Sequence, residues 1–438
     1  MMKERNSLSE YQKEFLARII GIPSVGGDPS EGAPYGERAR EVLRAFLDEA
    51  EAKGFRTGVT GDRAGWAEFG EGDRLLGIIC HLDVVPVGDG WRSDPFTLDI
   101  REDEAGREIM YARGIVDDKG PACAAFFAML ELADERLIPD DHRVRLILGT
   151  DEERTCSCIQ YYAAHEEIPD FSVTPDSIFP VVYCEKGILH LKFSGENTNG
   201  LDAHGGSAVN IVPVSARCVA DGRTITAEGK AAHASRPELG VNAIELLAKA
   251  MEEQGLDLSR HPVMKFVRDF DAESFTGCDA SGEYGELSCN FGVLSADKNG
   301  CELELDLRIP SDADNGRVTD SLAGKASEYG LETQVTLDMP PFLKDKNSPQ
   351  VRALTEIWKR HMDGFTGFKE EYRDIHAGPK VVGVGTYSRH MPNTIAFGIQ
   401  APWHTDQCHQ ADEHAAVTDF LQWIRMIKEF IMEAEKYL

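Results

Sequence analysis

Histidine or acidic residues that could do chemistry stand at five points of the sequence, close to the ends of predicted strands. The stretch "CHLDVVPVGDGW" (80–91) follows the apolar run "LLGII" and places a histidine and an aspartate two residues apart. The full set is His81 with Asp83, Asp117 with Asp118, Asp151 with Glu152 and Glu153, Asp176, and His409. Imidazole and carboxylate ligands without a thiolate suit zinc, manganese or cobalt in a hydrolytic site. These residue types therefore indicate metal-assisted hydrolysis.

Taken singly, each of these motifs is more typical of a solvated turn or a helix cap than of a metal site. Their joint position changes the interpretation, because open α/β sheets bind ligands beyond the carboxyl ends of their strands. Carboxylates gathered at such an edge would repel one another strongly unless a cation neutralised them. The pattern therefore favours one metal-binding cluster over five separate surface loops.

Strands and helices alternate in the parts of the chain that carry these residues. Apolar residues at helical spacing predict helices over 8–21 and 36–54, and a further helix begins near Pro121, where proline fits well. Apolar runs before His81 and Asp151 predict buried strands. This alternation is typical of an α/β fold with a mixed, mostly parallel sheet and helices on both faces.

The pattern changes between residues 188 and 340. Segments such as "LHLKFSG", "RTITAEG" and "CELELDLRIP" alternate apolar with polar residues, as antiparallel strands with one solvated face do, and one strong helix, "GVNAIELLAKAMEEQ", lies among them. The α/β pattern then resumes and closes with an amphipathic helix over 415–438. We predict a discontinuous catalytic domain, 1–187 and 341–438, and an inserted α+β domain, 188–340.

Composition excludes several classes of partner. The chain has 438 residues, with 46 Lys plus Arg against 75 Asp plus Glu, and a formal net charge of −29. Such acidity disfavours nucleic acid and anionic membranes as partners.

The N-terminus lacks the pattern of a signal peptide, so we expect a cytoplasmic protein. The ten cysteines contain no CxxC pair and are expected to be free, buried thiols.

The motifs also resemble those of a known enzyme family. "HLDVVPVGDGWRSDPF", "ARGIVDDKGP", "TDEE", "PDSIFPVVYCEKG", "AEGKAAHASRPELGVNA" and "HQADEH" occur in the order found in the dinuclear-zinc aminoacylase and carboxypeptidase-type metallopeptidases. Within that family the chain most resembles the bacterial PepV-type dipeptidases. The resemblance covers most of the chain and is weaker between residues 250 and 340.

This resemblance implies a ligand set for two divalent metal ions. His81 and Asp176 would bind one ion, Glu153 and His409 the other, and Asp117 would bridge the two. Zinc is the expected metal, with manganese or cobalt as alternatives that O- and N-rich sites also accept. Glu152 would be the general base, Asp83 would hold His81 in its orientation, and the peptide bond between Asp117 and Asp118 would be cis.

For the inserted domain, the resemblance implies a lid that completes the substrate site. His233 would stabilise the oxyanion that develops on the substrate, and Asn210 and Arg308 would grip the C-terminal carboxylate of the substrate. Thr386, in "GVGTYSR", would line the substrate pocket. Without the resemblance, His233 would be interpreted as a helix-cap residue and Arg308 as a surface residue of a strand. The chain also departs from the family in "DEERTCSC", where a glycine often follows the glutamate pair.

The reaction that these residues predict is hydrolysis of the amide bond of small dipeptides. The nearest alternative is an N-acyl-amino-acid amidohydrolase or a carboxypeptidase, which would use the same metal site. A binding protein that has lost catalysis is disfavoured by the intact Glu152 and ligand set, and a phosphoesterase by the absence of a phosphate-binding glycine-rich motif. We expect a monomer whose own lid supplies the substrate contacts, with a homodimer as the alternative.

Overall fold

The computed structural model describes residues 7–137, 139–278, 282 and 284–438. In these residues the α-helices are α1 (Glu10–Ile20), α2 (Glu37–Ala52), α3 (Lys119–Asp134), α4 (Ser157–His165), α5 (Ala243–Glu253), α6 (Pro262–Asp269), α7 (Ala272–Thr276), α8 (Asn315–Glu328), α9 (Pro349–His361), α10 (Tyr372–Ile375) and α11 (Val417–Met432). The strands are β1 (Arg56–Thr60), β2 (Ala64–Gly70), β3 (Arg74–His81), β4 (Asp99–Glu102), β5 (Glu108–Tyr111), β6 (His142–Gly149), β7 (Phe171–Thr174), β8 (Ser177–Ile178), β9 (Val182–Glu185), β10 (Gly187–Gly195), β11 (Asp202–Gly205), β12 (Ser215–Ala220), β13 (Arg223–Glu228), β14 (Ser288–Asp297), β15 (Gly300–Ile309), β16 (Glu332–Met339), β17 (Phe342–Leu343), β18 (Lys380–Val382), β19 (Thr394–Ala396), β20 (Ile399–Gln400) and β21 (His414–Ala416).

The chain forms two compact units. The first comprises Met1–Tyr183, Lys344–Lys380 and Thr386–Leu438, and the second comprises Cys184–Leu343 and Val381–Gly385. The predicted fold class, an α/β catalytic part with an inserted α+β part, is confirmed. Among the described residues, none of the helices has both the length and the apolar character needed to cross a lipid bilayer.

A mixed sheet forms the centre of the first unit. Its strands run in the order β1-β2-β6-β3-β7-β19, and β3 is parallel to both β6 and β7. All but the first residue of β3 are buried, which explains why its sequence is a continuous apolar run rather than an alternating one. Because β3, β6 and β7 are parallel, their carboxyl ends lie at the same edge of the sheet.

Helices cover both faces of this sheet. On one face α3 packs against β3, and Phe126 of α3 meets Phe15 of α1 with ring centroids 5.3 Å apart. On the other face Ile79 of β3 and Ile147 of β6 pack with Ile159 of α4. The predicted final helix begins at Val417, later than expected, because the preceding residues form β21, which pairs with β5.

An antiparallel sheet forms the second unit, in the order β13-β12-β11-β14-β15-β10-β16. Leu189, Leu191 and Phe193 alternate along β10 and are fully buried, as the predicted pattern requires. Their buried face packs in one core with α5, α6 and α8. The sequence predicted only α5 of these helices. α6 is a single short amphipathic stretch of eight residues, and α8 has a weak apolar stripe, so neither stands out by periodicity.

Candidate metal centre

The parallel strands bring the predicted ligands to one edge of the first unit. His81 is the last residue of β3, Glu152 and Glu153 follow the end of β6, and Asp176 follows the end of β7. Asp117 comes from the loop that leads into α3, and His409 comes from the loop that precedes β21. The positions follow directly from the sheet topology, because each strand delivers its terminal side chains to the same edge.

Two groups of ligand atoms form at this edge, and Asp117 belongs to both. In the first, His81 Nε2 lies 2.9 Å from Asp117 Oδ1 and 3.8 Å from Asp176 Oδ2. In the second, His409 Nε2 lies 3.2 Å from Asp117 Oδ2 and 3.0 Å from Glu153 Oε2. The ligand atoms of each group lie within 4.8 Å of one another. The structure therefore brings all five predicted ligands together, with one oxygen of Asp117 directed at each group.

The donor set fits two divalent cations. Five carboxyl groups meet two imidazoles at this edge: Asp117, Asp118, Glu152, Glu153 and Asp176. Burial raises the pKa of Glu152 to about 8, and burial also raises the pKa values of Glu153, Asp118 and Asp176. Burial acts in the same direction on Asp117, but hydrogen bonds from His409 and His81 outweigh it and lower its pKa. The carboxyl groups thus outnumber the imidazoles at this edge, and divalent cations held by these residues would balance the excess negative charge.

Asp83 orients both His81 and the glutamate pair. His81 Nδ1 donates to the backbone oxygen of Asp83 at 2.9 Å, which directs Nε2 toward Asp117 and Asp176. The carboxylate of Asp83 lies 3.6 Å from the same ring nitrogen and accepts from the backbone N–H groups of Glu152 and Glu153 at 3.1 and 3.0 Å. One buried aspartate therefore fixes the position of the histidine through its main chain and of the two glutamates through its side chain.

The Asp117–Asp118 segment has the conformation that the family resemblance implied. The peptide bond between these residues is cis. Asp118 Oδ2 accepts from the backbone N–H of His81 at 2.9 Å, and its Oδ1 is buried without a hydrogen-bond partner among the described residues. Asp118 thereby ties the loop that carries Asp117 to the end of β3.

Glu413 is the main structural residue of the site that sequence reasoning missed. Its carboxylate is fully buried and accepts from Arg113 Nη1 at 2.7 Å. It also accepts from the backbone N–H groups of Gly114, Val116 and Asp117, at 3.1, 2.8 and 3.2 Å. Burial raises the pKa of Glu413 to about 7, while Arg113 and the backbone donors favour its ionised form. Glu413 lies within "HQADEH", so its nearness to His409 was the available signal.

The loop after the glutamate pair contains a residue in the left-handed conformation. Cys156 adopts a φ of 54°, a left-handed conformation that usually requires glycine and costs other residues about 1–2 kcal/mol. Asp151 stabilises this turn, since its backbone oxygen accepts from the Cys156 N–H at 2.8 Å. The Asp151 carboxylate accepts from Arg154 Nε at 2.9 Å and from Ser157 Oγ at 2.8 Å. The first residue of the "DEE" cluster thus shapes the loop that carries the other two.

Arg308, in the second unit, is buried and already bonded along one edge. Its Nε and Nη2 donate to Asp306 at 2.7 and 2.8 Å, and Asp306 also pairs with His190 at 3.0 Å. Arg308 Nη1 donates to the backbone oxygen of Gly383 at 2.7 Å. These bonds use three of the five N–H groups and leave one on each terminal nitrogen for other acceptors.

Thr386 is buried and caps a short 3-10 helix. Its Oγ1 accepts from the backbone N–H of Ser388 at 3.2 Å and donates to Ser388 Oγ at 2.9 Å. The next residue, Tyr387, reaches the metal centre, because its ring meets the ring of His81 edge-on at 6.3 Å. Within this segment, contact with the ligand cluster therefore comes from Tyr387, which the sequence did not single out.

Replacing Glu413 by glutamine should destabilise the protein by about 3–5 kcal/mol, because it leaves the Arg113 charge buried without its carboxylate. Chemical unfolding of the metal-loaded protein measures this loss. The matched control is Glu433→Gln, which removes one partner of Arg360 at the surface, where Glu429 still pairs with the same guanidinium. We expect the control to cost less than about 1 kcal/mol. Equal losses in the two variants would contradict the role assigned to Glu413.

Comparison with known proteins agrees with this geometry. The model of the peptidase family M20/M25/M40 matches residues 77–433. "Putative dipeptidase YtjP" of Bacillus subtilis is 33% identical over 479 aligned positions, which cover 100% of this chain and 99% of that protein.

Solved structures share the fold at lower identity. The dipeptidase Dug1p of Saccharomyces cerevisiae has a TM-score of 0.59 at 14% identity, covering 96% of this chain and 95% of that one. The aminoacylhistidine dipeptidase of Vibrio alginolyticus has a TM-score of 0.58 at 16% identity, covering 98% of each chain. The family match and the Bacillus relative together establish that this chain belongs to the peptidase family M20/M25/M40 and is a metallopeptidase that hydrolyses peptide bonds.

Proposed function

We propose that this protein is a dipeptidase that uses two divalent metal ions and Glu152 as its general base. The observation that carries the proposal is the pair of ligand groups that share Asp117, with Glu152 adjacent to Glu153 at the same edge. His81 and Asp176 would hold one ion, and Glu153 and His409 the other. When bound, such a pair of ions polarises the scissile carbonyl and activates a water molecule.

Glu152 is suited to move the proton of the attacking water. It does not belong to either ligand group, and Asp83 fixes its backbone N–H at 3.1 Å. Burial and the neighbouring carboxylates Glu153 and Asp117 favour its protonated form, which makes it a stronger base than an exposed glutamate. Bound cations would oppose this shift and lower the pKa of Glu152 again. Glu152 would then pass the proton to the leaving amine.

The second unit would supply the contacts to the peptide. His233 Nδ1 accepts from the backbone N–H of Ser235 at 3.2 Å, so in the neutral ring the N–H lies at Nε2 and can donate to a developing oxyanion. Asn210 and the remaining N–H groups of Arg308 would bind the C-terminal carboxylate. Because the same chain carries this unit, we propose that the protein acts as a monomer.

Small dipeptides are the proposed substrates. The Bacillus relative and both solved proteins described above carry the word dipeptidase in their names. A site that binds the C-terminal carboxylate close to the scissile bond would also limit the length of the peptide.

A substrate panel tests this proposal. Chelated enzyme is supplied in turn with zinc, manganese and cobalt and assayed on Ala-Xaa, N-acetyl-Ala-Xaa and N-acetyl-Xaa. We expect free dipeptides to give kcat/KM values at least about 100-fold above those of the acetylated compounds. A site that binds the free ammonium group of the dipeptide discriminates strongly against substrates in which that group is acetylated. Faster hydrolysis of N-acetyl-Xaa would identify an amidohydrolase instead, and faster hydrolysis of N-acetyl-Ala-Xaa would identify a carboxypeptidase.

The variant Glu152→Gln should keep its metal content and its melting temperature while kcat falls by about 10²–10⁴-fold, because the amide cannot accept the proton. Metal analysis, thermal unfolding and steady-state kinetics measure the three quantities. Glu104→Gln makes the same chemical change at an exposed position of the first unit and should leave kcat unaltered. Substantial activity in the Glu152 variant would assign the base to another residue.

Removal of the metal ions should make the stability depend on pH. Without cations, burial raises the pKa of Glu152 from about 4.5 to about 8, and the pKa values of Glu153 and Asp176 also rise. The folded protein then binds more protons than the unfolded chain in this window, so its free energy of unfolding falls as the pH increases from about 4.5 to about 8. Cations displace these protons and should flatten the profile.

Melting temperatures of chelated and zinc-loaded protein, recorded across that pH window, measure the effect. The chelated protein should lose stability progressively toward the alkaline end, while the zinc-loaded protein should change little. Parallel profiles for the two forms would show that the ions do not bind at the carboxylate cluster.

A further inference from the structure

In the second unit, Asn210 and His233 lie on two backbone segments that pair with each other. Segments 209–212 and 232–234 form a short antiparallel bridge, and the backbone N–H of Ala234 donates to the oxygen of Asn210 at 2.9 Å. A displacement of one segment would therefore move the other. The two residues are positioned as a unit, although they lie 23 positions apart in the sequence.

Asn290 binds the first of these segments, 209–212, directly. It lies on β14, is 1% exposed, and its Nδ2 donates to the backbone oxygens of Val209 and Ile211, each at 3.0 Å. These oxygens flank Asn210 on both sides, so one side-chain amide fixes the peptide units around it. Gly292 permits this close approach, since a Cβ there would lie only 2.2 Å from the oxygen of Val209.

Asn242 sets the orientation of the Asn290 amide. Asn242 Nδ2 donates to Asn290 Oδ1 at 2.9 Å and to the backbone oxygen of Phe291 at 2.9 Å. Its own Oδ1 accepts from the backbone N–H of Ile244 at 2.9 Å and caps the N-terminus of α5. Because Asn290 Oδ1 is already an acceptor, its NH₂ group must face the two backbone oxygens.

We propose that Asn290, oriented by Asn242, is a positioning residue that fixes Asn210 and His233 in the geometry needed to bind and polarise the peptide substrate. The inference rests on the proposed dipeptidase function for the roles of Asn210 and His233. The connection between Asn290 and their two segments is independent of that function, because it consists of hydrogen bonds within the second unit.

The variant Asn290→Asp tests the proposal, since it keeps the shape of the side chain and replaces the donor with an oxygen that repels both backbone oxygens. We expect kcat/KM for a dipeptide to fall by about 10-fold or more, as the loss of two buried hydrogen bonds implies. The matched control is Asn197→Asp. Asn197 Nδ2 also donates to two backbone oxygens, those of Leu201 and Asp297, each at 2.6 Å, and both of these partners lie outside the two segments. The control should stay within about twofold of the wild type.

Two further measurements separate positioning from general destabilisation. In an Asn210→Ala background, Asn290→Asp should cause no further rise in KM, because the proposed carboxylate contact of Asn210 is already lost, while kcat should still fall through the displacement of His233. Dipeptide amides, which lack that carboxylate, should show a smaller rise in KM than free dipeptides. A merely structural defect would affect both substrates and both backgrounds alike.

Hydrogen exchange provides a measurement that does not depend on activity. The backbone N–H of Ala234, bonded to Asn210, should exchange faster in Asn290→Asp than in the wild type or in Asn197→Asp. If Asn290→Asp does not fold, Asn290→Ser retains one small donor and should show the same changes at lower amplitude. Exchange and kinetics that match those of Asn197→Asp would overturn the inference. A wild-type protein inactive on every dipeptide would instead overturn the proposed function, and the exchange result would still decide whether Asn290 fixes the segments.

Discussion

The carboxylate of Asp117 sets the geometry of the whole metal centre, because each of its oxygens faces a different group of ligands. This position requires the main chain around residue 117 to be rigid, since a small rotation would remove one oxygen from its group. Glu413 provides the rigidity by accepting from the backbone N–H of Asp117 itself and from two preceding N–H groups. Arg113 in turn balances the buried charge of Glu413. The placement of one ligand therefore depends on a buried ion pair behind it.

Backbone N–H groups bonded by buried carboxylates recur throughout the first unit. Asp83 binds the two N–H groups of the glutamate pair, and Asp118 binds that of His81. Bonds to a carboxylate are generally stronger than bonds between neutral groups, so they can hold loops that lack regular secondary structure. The second unit uses neutral amides for the same purpose, as Asn290 and Asn242 show.

The sequence predicted that the acidic and histidine residues at the strand ends lie together, because parallel strands place their terminal residues at one edge whatever the details of the loops, whereas the set of metal ligands was implied by the family resemblance. It did not identify the roles of Glu413 and Asn290, because their partners are backbone groups about 300 and 80 residues away. The two-face burial of β3 was predictable from its uninterrupted apolar residues. The cap formed by Thr386 was not, because a threonine in a glycine-rich loop is equally compatible with a substrate contact. Periodicity predicts elements and strand ends, whereas contacts between side chains and distant backbone require the folded chain.

The charge of the protein also bears on the choice between substrates. The chain has a net charge of −29, and its buried Arg308 is already neutralised by Asp306. A free dipeptide is a zwitterion with no net charge, whereas an N-acyl amino acid is an anion. Long-range repulsion is screened beyond about 8 Å at physiological ionic strength, so the distinction acts mainly near the site. In the proposed role of Arg308, the Asp306–Arg308 pair would offer a substrate carboxylate hydrogen bonds rather than an unbalanced positive charge. Such an arrangement would favour a substrate whose ammonium group compensates its carboxylate, which is the property that separates dipeptides from acylated amino acids.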